Sequence, residues 1–259
     1  MKQILRELRK TMLRTSALGK DGNLQSCFSS LEILWTLYEY FLPVSSADLQ
    51  NENRNRFVLS KGQSTLAQMV VLAEKGLLKK TELELFCKLD SRISMQADRT
   101  KFGAFIETSA GSLGHGLPMA AGLAWGKKIK KQDGRVYCLV GDGEMNEGTM
   151  WEAMLFAASE NLNNLTIIVD YNHSVERMID VGDLGNKFES FGFAVSKVNG
   201  HDISSLRAVL SKTADRPQVI LAETKRGWGS NTLLNDPSWF HRYPNQEELD
   251  SLLKEVDSF

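Results

Sequence analysis

The chain is short of several things, and each shortage excludes something. It has three cysteines in 259 residues, Cys27, Cys87 and Cys138. No two stand close enough for a metal knuckle, and an odd number fits no disulfide framework. A reducing, cytoplasmic setting is the expectation. Charge of one sign is not in excess: 31 Lys and Arg stand against 32 Asp and Glu, a formal net charge of −1. Nucleic-acid-binding domains usually carry a clear basic surplus, so nucleic acid is not an expected partner. The one dense basic run, KKIKK at 127–131, reads as a solvated helix end. No apolar run approaches the roughly 20 residues that cross a bilayer, so no membrane partner is expected. The first stretch, MKQILRELRKTMLR, mixes charge with apolar residues at helical spacing and lacks the apolar core of a signal peptide.

What is present is an alternation of elements. RFVLS (56–60), RVYCLV (135–140), LTIIVD (165–170), FAVSKV (193–198) and QVILAE (218–223) read as strands. Helical patterns fall at 3–14, 29–42, 64–76, 81–89, 118–131, 147–160, 184–191, 203–213 and 246–256. Ser29 or Ser30 is the expected N-cap of the second helix, Thr81 of the fourth and Asp202 of the helix at 203. Strands that alternate with helices predict right-handed crossovers and a parallel sheet. The continuous apolar strands predict helices on both of its faces. No repeat and no linker interrupts the pattern, so residues 1–259 are expected to form one α/β domain. Two stretches lack periodicity: 90–116, rich in Gly and Ser, and the aromatic tail 228–247. A loop as long as the first usually has a task.

In open parallel sheets, ligands bind beyond the carboxyl ends of the strands. Asp142 and Asn172 each lie two residues past such an end. If their strands are neighbours, one crevice receives both side chains. A carboxylate, an amide oxygen and a backbone carbonyl are hard oxygen ligands for Mg²⁺ or Ca²⁺, and phosphate oxygens complete the shell. Gly141 and Gly143 let the backbone approach a diphosphate. The amino end of the helix that follows favours an anion there. Taken separately, each of the two strand ends also reads as an ordinary turn.

The sequence VGDGEMNEGTMWEAMLFAASENLNNLTIIVDYN, with Asn172 following Asp142 by 30 residues, resembles the thiamine diphosphate signature. NRFVLSKGQSTLAQMVVLAEKG, ETSAGSLGHGLPMAAGLAWGKK, NGHDISSL and LAETKRGWG resemble further segments of the transketolase family. The resemblance covers about residues 5–255. It implies the thiamine-diphosphate-binding fold of the family's amino-terminal, diphosphate-binding half. It also implies Asp142, Asn172 and the carbonyl of Ser174 as metal ligands. Gly141, Gly143 and Glu144 then fall on the diphosphate segment, and Gly111, Ser112 and Leu113 in the cofactor cleft. Glu147 and Glu152 match glutamates near the partner's activating glutamate; as plain helix charges they need no such role.

That activating glutamate belongs to a pyrimidine-binding domain. Its counterpart is not found in this chain, so the resemblance implies a split enzyme with a carboxyl-terminal subunit, expected as α2β2. The expected activity is transfer of a two-carbon ketol or acyl unit from a donor to an aldehyde. A 2-oxo-acid decarboxylase or carboligase on the same scaffold, or a non-catalytic partner subunit, is the alternative.

The family's sugar-binding histidines are mostly replaced. Asn23, Gln63 and Gln96 stand at three of their positions, and His241 in WFHRYP matches a fourth with one extra residue before it. These four are the candidate substrate residues. Gln63 and His241 are also candidates for the cofactor, and Gln63, His115 and Glu147 for catalysis. An amide bonds a hydroxyl but does not titrate near neutrality. A specialised sugar or a 2-oxo acid therefore fits better than a pentose phosphate. His115 stands where the family has Gln, and either compensates for a lost histidine or bonds loop backbone. His173 is expected to point outward and His201 to be structural. Trp228 and Trp239 either cover the cofactor or pack an interface.

Overall fold

The structure is a computed structural model that describes residues 1–43, 45–109, 111–174 and 179–259. Five parallel strands make one sheet: β1 (Arg56–Leu59), β2 (Val136–Gly141), β3 (Leu165–Tyr171), β4 (Ala194–Asn199) and β5 (Gln218–Glu223). Their order is β1-β2-β3-β5-β4. β2 and β3 are neighbours, with Gly141 beside Asp170 in register, so the expected crevice between their ends exists.

The helices are α1 (Lys2–Gly19), α2 (Leu24–Tyr40), α3 (Ser46–Leu49), α4 (Thr65–Glu74), α5 (Arg99–Phe102) and α6 (Gly116–Ile129). They continue with α7 (Gly148–Ser159), α8 (Leu184–Ser190), α9 (Ile203–Leu210), α10 (Asn231–Asn235) and α11 (Gln246–Ser258). Period-two alternation in the strands sorts them into two layers. Phe57, Leu59, Tyr137, Leu139, Ile168 and Ile220 pack with α1, α2, α4 and α9. Val58, Val136, Cys138, Val140, Ile167 and Val169 pack with α6, α7 and α8. The step from β4 back to β5 reverses direction, and a right-handed crossover then places α9 on the opposite face from α8.

The strands lie within a residue of their expected bounds, and the helices depart in informative ways. α2 begins at Leu24, five residues early. Its N-cap is Asn23, whose Oδ1 accepts the Ser26 N–H at 3.4 Å, so neither Ser29 nor Ser30 caps it. Both serines lie inside the helix and donate to the Ser26 carbonyl. The segment expected as a helix at 81–89 is a short 3-10 turn, Lys80–Leu85, and Cys87 then turns left-handed at φ 54°. Thr81 caps nothing there. Asp202 does cap α9, by accepting the Ser204 N–H. The two aperiodic stretches hold short helical turns, α5 in the first and α10 in the second. Ala110 of the first stretch lies outside the described residues.

Candidate functional site

A cavity of about 660 Å³ opens at the carboxyl ends of the strands. Lys61 and Gln63 reach it from the end of β1, Asp142 to Glu144 from β2, Asn172 and Ser174 from β3, and Arg226 from beyond β5. Gln25 and Ser26 come from the first turn of α2, and Leu113 from the loop before α6.

Asp142 is buried, and its carboxylate gathers donors. Oδ1 accepts the Gly143 N–H at 2.8 Å and the Ser174 hydroxyl, and Oδ2 accepts the Ser174 N–H at 2.8 Å. Burial pushes its carboxyl up, and the Ser174 hydroxyl opposes that. Asn172 turns its amide nitrogen toward Asp170 Oδ1 at 3.3 Å. Its Oδ1 is buried without a hydrogen-bond partner. A buried acceptor without a donor is costly, and a divalent cation would relieve it. The donor set fits such an ion: one carboxylate, one amide oxygen and backbone carbonyls. Among the described residues, no three His, Cys, Asp or Glu side chains form an alternative metal cluster. Ser174 meets Asp142 as a donor, through its N–H and hydroxyl, whereas the sequence reading assigned its carbonyl.

Beneath this lies a buried ion pair. Lys61 Nζ donates to Asp170 Oδ2, to Ser29 Oγ at 3.0 Å and to the Ser26 carbonyl at 3.3 Å. Asp170 Oδ1 accepts the Thr224 hydroxyl. Burial alone would raise the Asp170 carboxyl. The Lys61 ammonium and the Ser29 and Thr224 hydroxyls outweigh it and hold the group below the ordinary carboxylate range.

Glu144 closes the floor. Oε1 accepts the Ser60 hydroxyl and, at 3.0 Å, the Gly114 N–H; Oε2 accepts the Gly141 N–H at 2.8 Å. One carboxylate thus joins the ends of β1 and β2 to the loop before α6. Burial pushes its carboxyl up, and these three donors oppose the shift.

The expected site residues divide into two groups. Gln63, Leu113, Gly141, Asp142, Gly143, Glu144, Asn172 and Ser174 line the cavity. The others do not. Asn23 is fully buried as the α2 cap. The Gln96 amide lies against Gly111, where a Cβ would come within 2.1 Å of it. Gly111 in turn packs its backbone on Gly62. Ser112 is exposed. His115 is exposed too, and bonds the Leu113 carbonyl at 3.0 Å, the second of its two readings. Glu147 sits beside Gly114 at the start of α7. His241, left-handed at φ 51°, is turned to solvent.

Comparison with known proteins decides the family. A family model described as transketolase, thiamine diphosphate binding domain, matches residues 3–248. The chain belongs to the transketolase family. This transketolase-family chain is 32% identical to human transketolase over 266 residues, which is 100% of this chain and 42% of that one. It is 32% identical over 255 residues to one of the subunits of the apulose-4-phosphate transketolase of Actinobacillus succinogenes, covering 96% of this chain and 92% of that one. Transketolase from Leishmania mexicana superposes with a TM-score of 0.86 at 23% identity, over 99% of this chain and 41% of that one. The chain thus spans less than half the length of the mammalian transketolases it matches.

For this transketolase-type domain, sequence reading missed Lys61 with Asp170, and it missed the wall made by Leu234, Pro237 and Phe240. The first left a signal. A Lys and an Asp that directly follow or end apolar strands, in VLSK and TIIVD, are charges the fold must bury or pair. The second left little, because the tail is aperiodic. Trp228 and Trp239, singled out in that tail, do not line the cavity. Trp228 stacks on His201 at 4.6 Å, and Trp239 is buried under the Arg242 guanidinium. His201 is structural as expected: it bonds Glu32 at 3.2 Å and accepts the Lys225 N–H at 2.9 Å. His173 is exposed and bonds Glu223 at 3.2 Å.

Proposed function

We propose that this chain is the diphosphate-binding subunit of a split thiamine-diphosphate-dependent transferase. It moves a two-carbon ketol or acyl unit from a donor to an aldehyde acceptor. The observation that carries this is that Asp142 and Asn172, whose Oδ1 is unpartnered, line one cavity at two adjacent strand ends. Asp142, Asn172 and the Ser174 carbonyl would hold Mg²⁺, or Ca²⁺, and the ion would hold the diphosphate. Gly141 and Gly143 leave room for that diphosphate, and Arg226 adds a cation to the same cavity. Bound thiamine diphosphate supplies the carbon nucleophile on which carbon–carbon bond cleavage depends.

The residues of this chain bind and orient. Lys61, held by Asp170, supports Ser26 and Ser29 at the cavity floor. Glu144 keeps the Leu113 loop against the strand ends. Among the described lining residues there is no histidine. A carboxyl-terminal, pyrimidine-binding subunit would supply the activating glutamate, expected in an α2β2 assembly in the cytoplasm. The Actinobacillus relative, named as one subunit of a transketolase and matched over nearly its whole length, supports that reading. No helix among the described residues is long and apolar enough to cross a membrane. A 2-oxo-acid carboligase on the same scaffold is the second reading, favoured by the apolar strip Leu234, Pro237 and Phe240.

The test is reconstitution with a candidate pyrimidine-binding subunit that carries the activating glutamate. Thiamine diphosphate, Mg²⁺, a donor chosen from xylulose 5-phosphate, hydroxypyruvate and pyruvate, and an aldehyde should give a new hydroxyketone. Absence of any cofactor-dependent carbon–carbon bond formation would sink the transferase reading.

A further inference from the structure

The cavity wall carries only one of the four residues expected to read a sugar. Of Asn23, Gln63, Gln96 and His241, only Gln63 lines the cavity. The wall from 234 to 240 presents Leu234, Pro237 and Phe240 instead, with Asn235 as its polar member. The chain turns sharply there. Trp239 is 2% exposed and points inward, whereas Phe240 lines the cavity and is 50% exposed. His241 then leaves toward solvent in a left-handed conformation, its ring edge-on to Phe240 at 4.5 Å. The Phe240 ring, not the His241 imidazole, lines the cavity.

This wall is a built surface. Gln25 Nε2 donates to the Leu233 carbonyl at 2.7 Å and the Asp236 carbonyl at 3.1 Å, so α2 grips the segment from behind. Asp236 accepts the Ser238 N–H at 2.9 Å. The Arg226 guanidinium sits 5.0 Å from the centre of the Phe240 ring and holds its face. The Gln25 amide nitrogen is thereby committed to backbone and is not offered to a substrate hydroxyl. The polar groups this chain still turns to that part of the cavity are the Gln25 amide oxygen, Ser26, Gln63, Arg226 and Asn235, whereas Leu234, Pro237 and Phe240 offer no hydrogen-bonding side chain. A hydroxylated chain laid against Leu234, Pro237 and Phe240 would lose water hydrogen bonds without replacement, which is unfavourable. An alkyl group there gains burial instead.

We propose that Phe240 is a specificity-determining residue: the site takes an acyl donor whose carbon beside the reacting carbonyl bears no hydroxyl, a short 2-oxo acid. This rests on the thiamine-dependent transfer proposed above and names its substrate class. In the overall reaction, the bond between the carbonyl carbon and the carboxylate of the 2-oxo acid breaks and carbon dioxide leaves. The acyl carbon forms a new bond to the aldehyde carbon, and the aldehyde oxygen takes up one proton. The product is an α-hydroxyketone, and no oxidant or reductant enters.

Pyruvate and hydroxypyruvate differ by one hydroxyl and are the probes. With the assembled enzyme, thiamine diphosphate, Mg²⁺ and one fixed aldehyde, kcat/KM for pyruvate should exceed that for hydroxypyruvate by roughly tenfold or more. Phe240→His should lower that ratio by about tenfold or more. Phe240→Leu, which keeps an apolar side chain, should hold it within about threefold. Preference of the wild type for hydroxypyruvate, or a ratio unmoved in Phe240→His, would overturn the assignment. Calorimetric titration of both donors into the cofactor-loaded complex gives an independent readout. Selective pyruvate binding that Phe240→His abolishes, without turnover of either donor, would support Phe240 and overturn the transfer reaction. Equal binding of the two donors to wild type and Phe240→His would overturn the role of Phe240 whatever the turnover.

Discussion

Glu144 accepts the Gly114 N–H at 3.0 Å across the floor of the cleft, and that carboxylate also holds Gly141 and Ser60. All three partners are donors, so the position needs two oxygens. Glu144→Gln would turn an amide N–H₂ toward at least one N–H donor and strand both. An unsatisfied buried group costs about 1–3 kcal/mol. At about 2–4 °C per kcal/mol for a chain of this size, the melting temperature should fall by several degrees. Leu113, on the tethered loop, lines the cavity, so thiamine diphosphate affinity should fall as well. Calorimetry and thermal melting check the two together; if neither changes, the loop is held by something else.

The metal assignment makes a graded prediction. Asp142→Ala and Asn172→Ala would each remove a side-chain ligand of the proposed metal. Loss of outer-shell partners alone costs roughly 10–100-fold in metal affinity, so each should weaken Mg²⁺-dependent thiamine diphosphate binding by about a hundredfold or more. Ser174→Ala keeps the carbonyl and loses only the hydroxyl, so its loss should stay below about tenfold. Chelation of the metal should abolish binding to the wild type. Equal losses in all three variants would show that Ser174 acts through its side chain and that its carbonyl assignment is wrong.

The sequence made some of this readable and hid the rest. Asp142 and Asn172 were legible because two continuous apolar runs end two residues before them, and parallel sheets collect ligands beyond such ends. That β2 and β3 are neighbours was left open by the sequence and is given by the sheet itself. The start of α2 was not legible. Asn23 and Gln25 looked like loop, yet Asn23 caps the helix and Gln25 bonds carbonyls more than 200 positions away in sequence. Local pattern carries no information about such a partner. His241 and Phe240 differ by one position, and only the left-handed turn at His241 decides which faces the cavity. A one-residue ambiguity of that kind is beyond motif reading.

Lys61 and Asp170 form a buried pair, with side chains 6% and 0% exposed. Breaking such a pair from one side leaves an uncompensated charge and costs about 3–5 kcal/mol. Lys61→Met should therefore destabilise strongly in urea melts. The double variant Lys61→Met with Asp170→Asn should recover part of that, because it leaves no buried charge. A double variant no better than the single would show that the Ser29 and Thr224 hydrogen bonds, not the charge pair, carry the stability.

The three free thiols should be slow to alkylate, and by different margins. Burial, with the nearby Asp21 carboxylate adding to it, pushes the Cys87 thiol up to about 11. Burial does the same for Cys27, also to about 11, and drives Cys138 further up. The thiolate is the reactive form. At pH 8 a thiol at about 11 is roughly one part in a thousand ionised, against about a quarter for an ordinary thiol near 8.5. Cys87 is partly exposed whereas Cys27 and Cys138 are fully buried. Under native conditions iodoacetamide should therefore label Cys87 first. Its rate should rise about tenfold per pH unit from 7 to 10, because each unit multiplies the thiolate fraction tenfold. Intact mass and peptide mapping count and place the adducts. Rapid labelling at pH 7.5 with a midpoint below about 9 would show that Cys87 is neither as buried nor as close to Asp21 as this structure places it.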